Sequence, residues 1–198
     1  MNAPSGRSQA TIMNRSDLTR RLVARLKDGE AVVGGIGHTN FDLWASGQRP
    51  ENFYMLGSMG LASSIALGVS LAQPERFVFA LDGDGSILMQ LGALGTVASV
   101  APRKFCIIIW DNGLYHITGG QETLTASVVD LVAVARGMGI ARADWALDEA
   151  HFDDLVGAAL EGNGPSLIAA RIDDAKPAGT TEREPVKLKL GFMRGIGG

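Results

Sequence analysis

The sequence has few of the features that mark several large protein classes. It has one cysteine, Cys106, so no disulfide can form within the chain. No apolar run is long enough and free enough of glycine to span a bilayer, and residues 1–17 lack the apolar stretch of a secretory signal. The net charge of -3 comes without a basic stripe. We therefore expect a cytoplasmic protein that binds neither nucleic acid nor membranes.

The chain does have a regular alternation of strand and helix patterns. Of its 198 residues, 46% are hydrophobic and 26 are glycine, which is enough for one domain with a real core and many tight turns. Two clear apolar strands, 76–82 and 104–111, flank a predicted helix at 86–100. Apolar strands separated by helices are typical of parallel sheets. The predicted fold is α/β, with a single doubly wound parallel sheet and helices on both faces.

This pattern divides the chain into three parts. Residues 1–14 are predicted to be a loose leader, residues 15–173 the α/β domain, and residues 174–198 an extended C-terminal tail. The tail contains Pro177 and Pro185 and a basic stretch. We expect it to lie over the surface of the domain or over a partner subunit.

The end of the strand at 76–82 carries more acid and glycine than a turn requires. It continues as Asp82-Gly83-Asp84-Gly85, and Ser86 is predicted to begin the next helix. Ligands of parallel sheets bind at the carboxyl ends of strands, and these glycines let an anion approach the backbone closely. A carboxylate beside an anion needs a cation between them, and Mg²⁺ combines one or two protein oxygens with phosphate oxygens. Asp84 is therefore a candidate metal ligand, whereas Asp82 is expected to shape the loop.

The strand at 104–111 ends in groups that complete such a site. Asn112 follows it directly and has a neutral carboxamide oxygen. The carbonyl oxygen of Leu114 can reach the same ion as the chain turns back. The sequence therefore predicts a metal site formed by Asp84, Asn112 and Leu114.

These motifs resemble the diphosphate- and Mg²⁺-binding signature of thiamine diphosphate enzymes. The resemblance is closest to the 2-oxoacid decarboxylases that act on sulfopyruvate or phosphonopyruvate, and it covers residues 31–172 through "NFYMLGSMGLASS", "LDGDGSILMQLGALGTVA" and "DNGLYHITGGQET". It implies thiamine diphosphate and Mg²⁺ as cofactors, and it makes residues 15–173 a diphosphate-binding domain. The cofactor-binding residues that it implies are Gly57, Ser58, Met59, Gly83, Asp84, Gly85, Ser86, Asn112, Leu114 and Tyr115.

The resemblance gives the turn before Gly60 a specific role. Met59 lies 25 residues before Asp84 and would be the wedge that holds the two cofactor rings in a V. The carbonyl of Gly57 would accept a hydrogen bond from the aminopyrimidine. A long, adaptable apolar side chain suits the angle between two rings.

Two histidines are candidate catalytic residues. His38 follows the first predicted strand in "GGIGHTN", and His116 follows the metal loop in "NGLYHITGG". Either imidazole could bind the acid group of a substrate or relay a proton. His116 departs from the resemblance, because relatives tend to carry a smaller residue there.

The resemblance also implies a group that this chain lacks. Thiamine diphosphate enzymes use a Glu on a separate pyrimidine-binding domain to activate the cofactor, and the present length suits one domain. We therefore expect a partner subunit that supplies this Glu, in an α2β2 or higher assembly, and a small anionic 2-oxoacid as substrate. The chain alone would be inactive.

Sulfopyruvate is the first expected substrate, and three alternatives stay open. They are a phosphonopyruvate decarboxylase, a carboligase of the acetolactate type, and a non-catalytic protein that binds a nucleotide with Mg²⁺. A nicotinamide cofactor is disfavoured, because no Gly-x-Gly-x-x-Gly turn follows the first strand.

Overall fold

The computed structural model describes residues 6–27 and 29–197. The strands are β1 (Ala31–Gly34), β2 (Asn52–Tyr54), β3 (Val78–Gly83), β4 (Phe105–Asp111), β5 (Leu114–Tyr115), β6 (Gln121–Glu122), β7 (Arg142–Ala146) and β8 (Ser166–Arg171). The helices are α1 (Gly6–Gln9), α2 (Arg15–Arg25), α3 (His38–Ala45), α4 (Ala62–Ala72), α5 (Asp84–Leu88), α6 (Gly92–Val100), α7 (Leu131–Gly137), α8 (Glu149–Glu161) and α9 (Pro185–Gly195).

Six strands form one parallel sheet in the order β2-β1-β3-β4-β8-β7, while β5 and β6 form a separate antiparallel hairpin. Side chains of the central strand β4 alternate between two apolar cores. Ile107 packs with residues of α4, α6 and α7, whereas Ile108 packs with residues of α2, α3 and α8. The predicted α/β fold with helices on both faces is confirmed.

The predicted helix at 86–100 is two helices in the structure. The first, α5, begins at Asp84, two residues earlier than predicted, and α6 begins at Gly92. Between them the backbone forms hydrogen bonds of the 3₁₀ type, in which the Met89 N–H donates to Ser86 O and the Gln90 N–H donates to Ile87 O. This break lets the first turn of α5 stay close to the end of β3 while α6 packs along the sheet.

The expected loose leader is packed where the structure describes it. Residues 6–14 run beside the carboxyl end of β8, where Met13 is buried and forms a parallel bridge with Ile172. The Met13 N–H donates to Arg171 O at 2.9 Å. Backbone pairing at a free position beside β8 explains the difference. Residues 1–5 of the predicted leader lie outside the described residues.

The tail is extended only in its first half and then forms α9. Glu184 caps this helix by accepting from the N–H groups of Val186 and Lys187, and Pro185 occupies its first turn. Phe192 packs against Phe53 of the edge strand β2, with ring centroids 5.2 Å apart. The helix therefore covers an edge strand that would otherwise be exposed. Within the described part of the chain, no helix is long and apolar enough to cross a membrane.

Candidate active site

The order of the strands creates a crevice beside β1 and β3. The chain leaves β1 toward β2 through α3, and it leaves β3 toward β4 through α5 and α6. Ligands of open α/β sheets bind where the connections diverge in this way. A pocket of about 580 Å³, counted with its open mouth, lies at this point. The predicted site residues that line it are His38, Met59, Gly83, Asp84, Gly85, Ser86, Asn112, Leu114, Tyr115 and His116.

Two predicted residues lie just outside the pocket lining. Gly57 and Ser58 are exposed and precede the half-buried Met59. Ser58 has a φ of 66°, which is uncommon for a residue other than glycine. Strained backbone of this kind persists where the surrounding structure holds it. Two residues later, Gly60 donates its N–H to Ser86 Oγ at 2.6 Å and ties this loop to the first turn of α5.

The glycines of the loop after β3 keep the space in front of it open. A Cβ at Gly83 would meet nothing within 4 Å, so the backbone there faces open volume. A Cβ at Gly85 would lie 2.5 Å from the ring of Tyr115, so only glycine fits that close approach. A bulky anion can therefore approach the backbone at Gly83.

Asp84 is buried and held by two threonines that the sequence analysis missed. Its Oδ2 accepts hydrogen bonds from Thr123 Oγ1 at 2.5 Å and from Thr125 Oγ1 at 2.8 Å. Thr125 also lies 2.8 Å from Asp111 Oδ1, and Asp111 pairs with Arg7 at 2.7 Å. Burial, with a smaller contribution from the charge of Asp111, raises the pKa of Asp84.

The loop after β4 presents neutral oxygens. Asn112 Oδ1 accepts from the Leu114 N–H at 3.1 Å, and its Nδ2 donates to Asp174 Oδ1 at 3.1 Å, so the amide is held in one orientation. A carbonyl oxygen has a second lone pair, which a cation can use. The hairpin of β5 and β6 turns Leu114 back beside this amide.

This donor set suits Mg²⁺ bound together with a diphosphate. Residues 6–27 and 29–197 contain no cluster of three or more His, Cys, Asp or Glu arranged for a metal ion. One buried carboxylate with neutral oxygens leaves most ligand positions to phosphate and water, which is how Mg²⁺ is usually held. The residues that are present therefore fit the expected metal and cofactor.

Asp82 has a second feature besides its place in the loop. Its Oδ1 accepts from the Gly83 N–H at 3.1 Å, but its buried Oδ2 has no hydrogen-bond partner among the described residues. Burial raises the pKa of Asp82 to about 7. The carboxyl group therefore shapes the loop, as expected, and is also costly to ionise.

We expect Asp82→Asn to change how stability depends on pH in the chain without cofactor. The pKa of Asp82 is raised from 3.8 to about 7 on folding, so the folded state holds a proton more tightly and stability falls as pH rises through that interval. The variant should lose the part of this slope that Asp82 causes and be more stable at pH 8 by on the order of 4 kcal/mol. Urea unfolding between pH 4 and 8 measures it. Asp154→Asn, at an exposed position, should keep the slope, and an unchanged slope in Asp82→Asn would contradict the assignment.

The two candidate histidines come together at the mouth of the pocket. The rings of His38 and His116 stand edge to face with centroids 4.9 Å apart. His116 is exposed, whereas His38 is partly buried at the start of α3. Burial first, and then the positive charge of Arg15, lower the pKa of His38. At neutral pH, His38 is therefore an uncharged group that can donate or accept a hydrogen bond.

Arg15 lines the pocket and is also a residue that the sequence analysis missed. It is 4% exposed, and it lines the pocket near His38 and Thr39. Its position at the start of α2 gave no signal, because α2 reaches the pocket only through the packing of the folded chain. Its nearest ion pair is to Asp42, 27 residues away.

Comparison with known proteins identifies the family of this chain. Residues 35–170 match the family described as thiamine pyrophosphate enzyme, C-terminal TPP binding domain. The sulfopyruvate decarboxylase subunit beta of Methanocaldococcus jannaschii is 37% identical over 182 residues, which are 92% of this chain and 96% of that protein. A phosphonopyruvate decarboxylase of Streptomyces hygroscopicus is 47% identical over 75% of this chain, but the match spans only 36% of that longer protein.

A solved structure shows the same fold. It is a putative thiamin diphosphate-dependent enzyme from Mycobacterium smegmatis, with a TM-score of 0.70 and 23% identity, covering 82% of this chain and 32% of that one. The resemblance found in the sequence motifs is thus confirmed, and so is thiamine diphosphate as the expected cofactor. The chain belongs to the thiamine pyrophosphate enzyme family and is its C-terminal, TPP-binding domain.

Proposed function

We propose that this chain is the diphosphate- and Mg²⁺-binding subunit of a thiamine diphosphate-dependent 2-oxoacid decarboxylase, with sulfopyruvate as its first substrate. The observation that carries the proposal is the pocket at the switch point of the sheet, where the loops after β1, β3 and β4 meet. A chain of nearly the same length, a sulfopyruvate decarboxylase subunit beta, supports this reading over that of a complete single-chain enzyme.

Within the pocket, the cation and the diphosphate have separate partners. Asp84, Asn112 and the carbonyl of Leu114 would hold Mg²⁺, and Thr123 with Thr125 fixes the Asp84 carboxylate for that task. The residues that would contact the cofactor itself are Gly57, Ser58, Met59, Gly83, Gly85, Ser86 and Tyr115. When bound, thiamine diphosphate supplies the electron sink that decarboxylation of a 2-oxoacid requires.

His38 and His116 would act on the substrate at the mouth of the pocket. Their rings are 4.9 Å apart, so one small molecule can contact both. His38 has a lowered pKa and can hold a proton at neutral pH on one ring nitrogen only, which lets the other accept. The exposed His116 would bind the acid group of the substrate, since an exposed imidazole can take up a proton beside an anion.

The partner subunit would supply the missing Glu. No Glu is among the residues that line the pocket in the described part of the chain. Several segments that form the site carry exposed apolar side chains, which are Leu56, Met89, Ile117, Leu124 and Val128. Exposed apolar side chains near a functional cleft are typical of a surface that another chain covers. An α2β2 assembly would place one such site at each interface.

Purification of the chain alone and with its partner tests the proposal. The chain alone should release no CO2 from sulfopyruvate, and the assembled complex should release CO2 and sulfoacetaldehyde in a reaction that needs thiamine diphosphate and Mg²⁺. Phosphonopyruvate serves as the competing substrate, because both acid groups are tetrahedral oxyanions and 47% identity links the chain to a phosphonopyruvate decarboxylase. Full activity of the isolated chain would overturn the two-chain proposal.

The products separate the remaining readings. A free aldehyde supports the decarboxylase, whereas an acetohydroxy acid formed from two pyruvates would support a carboligase. Failure of the complex to bind thiamine diphosphate in calorimetry would favour a non-catalytic protein.

A further inference from the structure

We propose that Arg15 is a permanent cationic anchor for the terminal phosphate of the cofactor, in addition to the metal site; this rests on the proposed function. Arg15 begins α2, outside the motifs after β3 and β4. It nevertheless lines the same pocket as Gly83 and Ser86. The ligand class is a diphosphate ester.

The protein holds the Arg15 guanidinium rigidly and leaves part of it available. Nε donates to Asp42 Oδ2 at 2.6 Å, and Nη2 donates to Ala175 O at 3.2 Å. Among the described residues, Nη1 has no hydrogen-bond partner. It is also not one of the fully buried polar atoms that lack a partner. Because Arg15 lines the pocket, we infer that this nitrogen faces the pocket space.

The counter-ion of Arg15 is itself fixed. Asp42 Oδ1 accepts from Ser16 Oγ at 3.0 Å and from the Ala178 N–H at 2.6 Å. Asp42 and Arg15 are both almost wholly buried. A buried guanidinium fixed in this way loses little side-chain conformational entropy when it binds an anion, and its planar N–H donors match phosphate oxygens.

A bound diphosphate offers more acceptor oxygens than the metal site alone can satisfy. A terminal phosphate carries about -1.5 to -2 at pH 7, and the inner phosphate adds to it. Asp84 offsets part of the Mg²⁺ charge. The neutral His38 contributes no charge, because its pKa is lowered. Arg15 is the buried guanidinium of the described pocket lining, and although Asp42 balances its charge, its remaining N–H groups can donate charged hydrogen bonds to phosphate.

Arg15 lies deeper in the pocket than the residues at its mouth. The lining residues near the mouth, His116, Ile117 and Thr118, are exposed, whereas Arg15 and Ser86 are 4% and 6% exposed. A substrate that reaches a bound cofactor from solvent meets the exposed group first. This deeper position supports the assignment of Arg15 to the cofactor, and the test below separates it from a role with the substrate.

The test measures binding of thiamine diphosphate with Mg²⁺ to the assembled complex by calorimetry, beside binding of thiamine. Arg15→Met should weaken thiamine diphosphate binding by about 10- to 100-fold and leave the weak binding of thiamine unchanged, since a charged hydrogen bond to phosphate is lost. Arg15→Lys should recover part of the loss. Arg20→Met on the same helix, with its side chain exposed, is the matched control.

Arg15→Met leaves Asp42 buried without its partner, so the double variant Arg15→Met/Asp42→Asn provides a folded form without either charge. Unchanged affinity for thiamine diphosphate in both variants would overturn the proposal, and so would an equal loss for thiamine. A raised KM for the 2-oxoacid with unchanged cofactor affinity would assign Arg15 to the substrate instead. If the wild-type complex does not bind thiamine diphosphate, the proposed function itself fails.

Discussion

Asp84→Asn should weaken binding of thiamine diphosphate with Mg²⁺ to the assembled complex by more than about 100-fold, beyond the 10- to 100-fold typical of groups that only support a ligand. Asparagine keeps the shape of the side chain and can still accept from Thr123 and Thr125. It removes the one carboxylate of the proposed metal set, and a neutral set holds a divalent cation poorly. Calorimetry at several Mg²⁺ concentrations measures the loss.

Thr125→Val is the graded control for this prediction. It keeps the metal ligand and removes one hydroxyl that bonds Asp84 Oδ2 and lies beside Asp111. The affinity should fall by about 10-fold, as is usual when a supporting hydrogen bond to a ligand is removed. Circular dichroism should show both variants folded. Retained Mg²⁺-dependent affinity in Asp84→Asn would disprove the metal assignment.

The half of the site that could be predicted lies in short local motifs. Asp84 and Asn112 each follow directly after an apolar strand, so strand pattern and the geometry of parallel sheets are enough to place them at one edge. In the structure, both of these residues line one pocket. Their surroundings could not be predicted, because Thr125 reaches Asp84 across 41 residues and Arg15 reaches Asp42 across 27.

The edge of the sheet was likewise hard to predict from local sequence. Three-residue β2 is too short to show a period, and its place depends on backbone pairing with β1 and cover from α9. The helix α9 did carry a local signal, because Glu184 and Pro185 form a cap and first turn, and Leu188 and Phe192 follow at helical spacing. The prolines and the basic stretch instead indicated an extended tail, which is wrong for residues 185–195.

Gly60→Ala should destabilise the chain by about 3–4 kcal/mol and also weaken cofactor binding. Gly60 has a φ of 84°, which costs any other residue about 1–2 kcal/mol. A Cβ there would lie 2.8 Å from the Ser86 carbonyl oxygen and 2.9 Å from Gln90 Cβ, so the backbone of two segments would have to move. Both segments border the pocket, since Met59, which precedes Gly60, and Ser86 both line it.

Gly68→Ala tests whether the loss is specific to that position. Gly68 lies inside α4, has no positive φ, and a Cβ there would meet nothing within 4 Å. Alanine at such a helix position should stabilise the chain by about 0.5–1 kcal/mol. Urea unfolding of the chain without cofactor gives both values, and calorimetry of the complex gives the affinity. A Gly60→Ala variant as stable as Gly68→Ala would show that the turn at Gly60 can relax. The close contact between Gly60 and Ser86 would then not hold the Met59 loop in place.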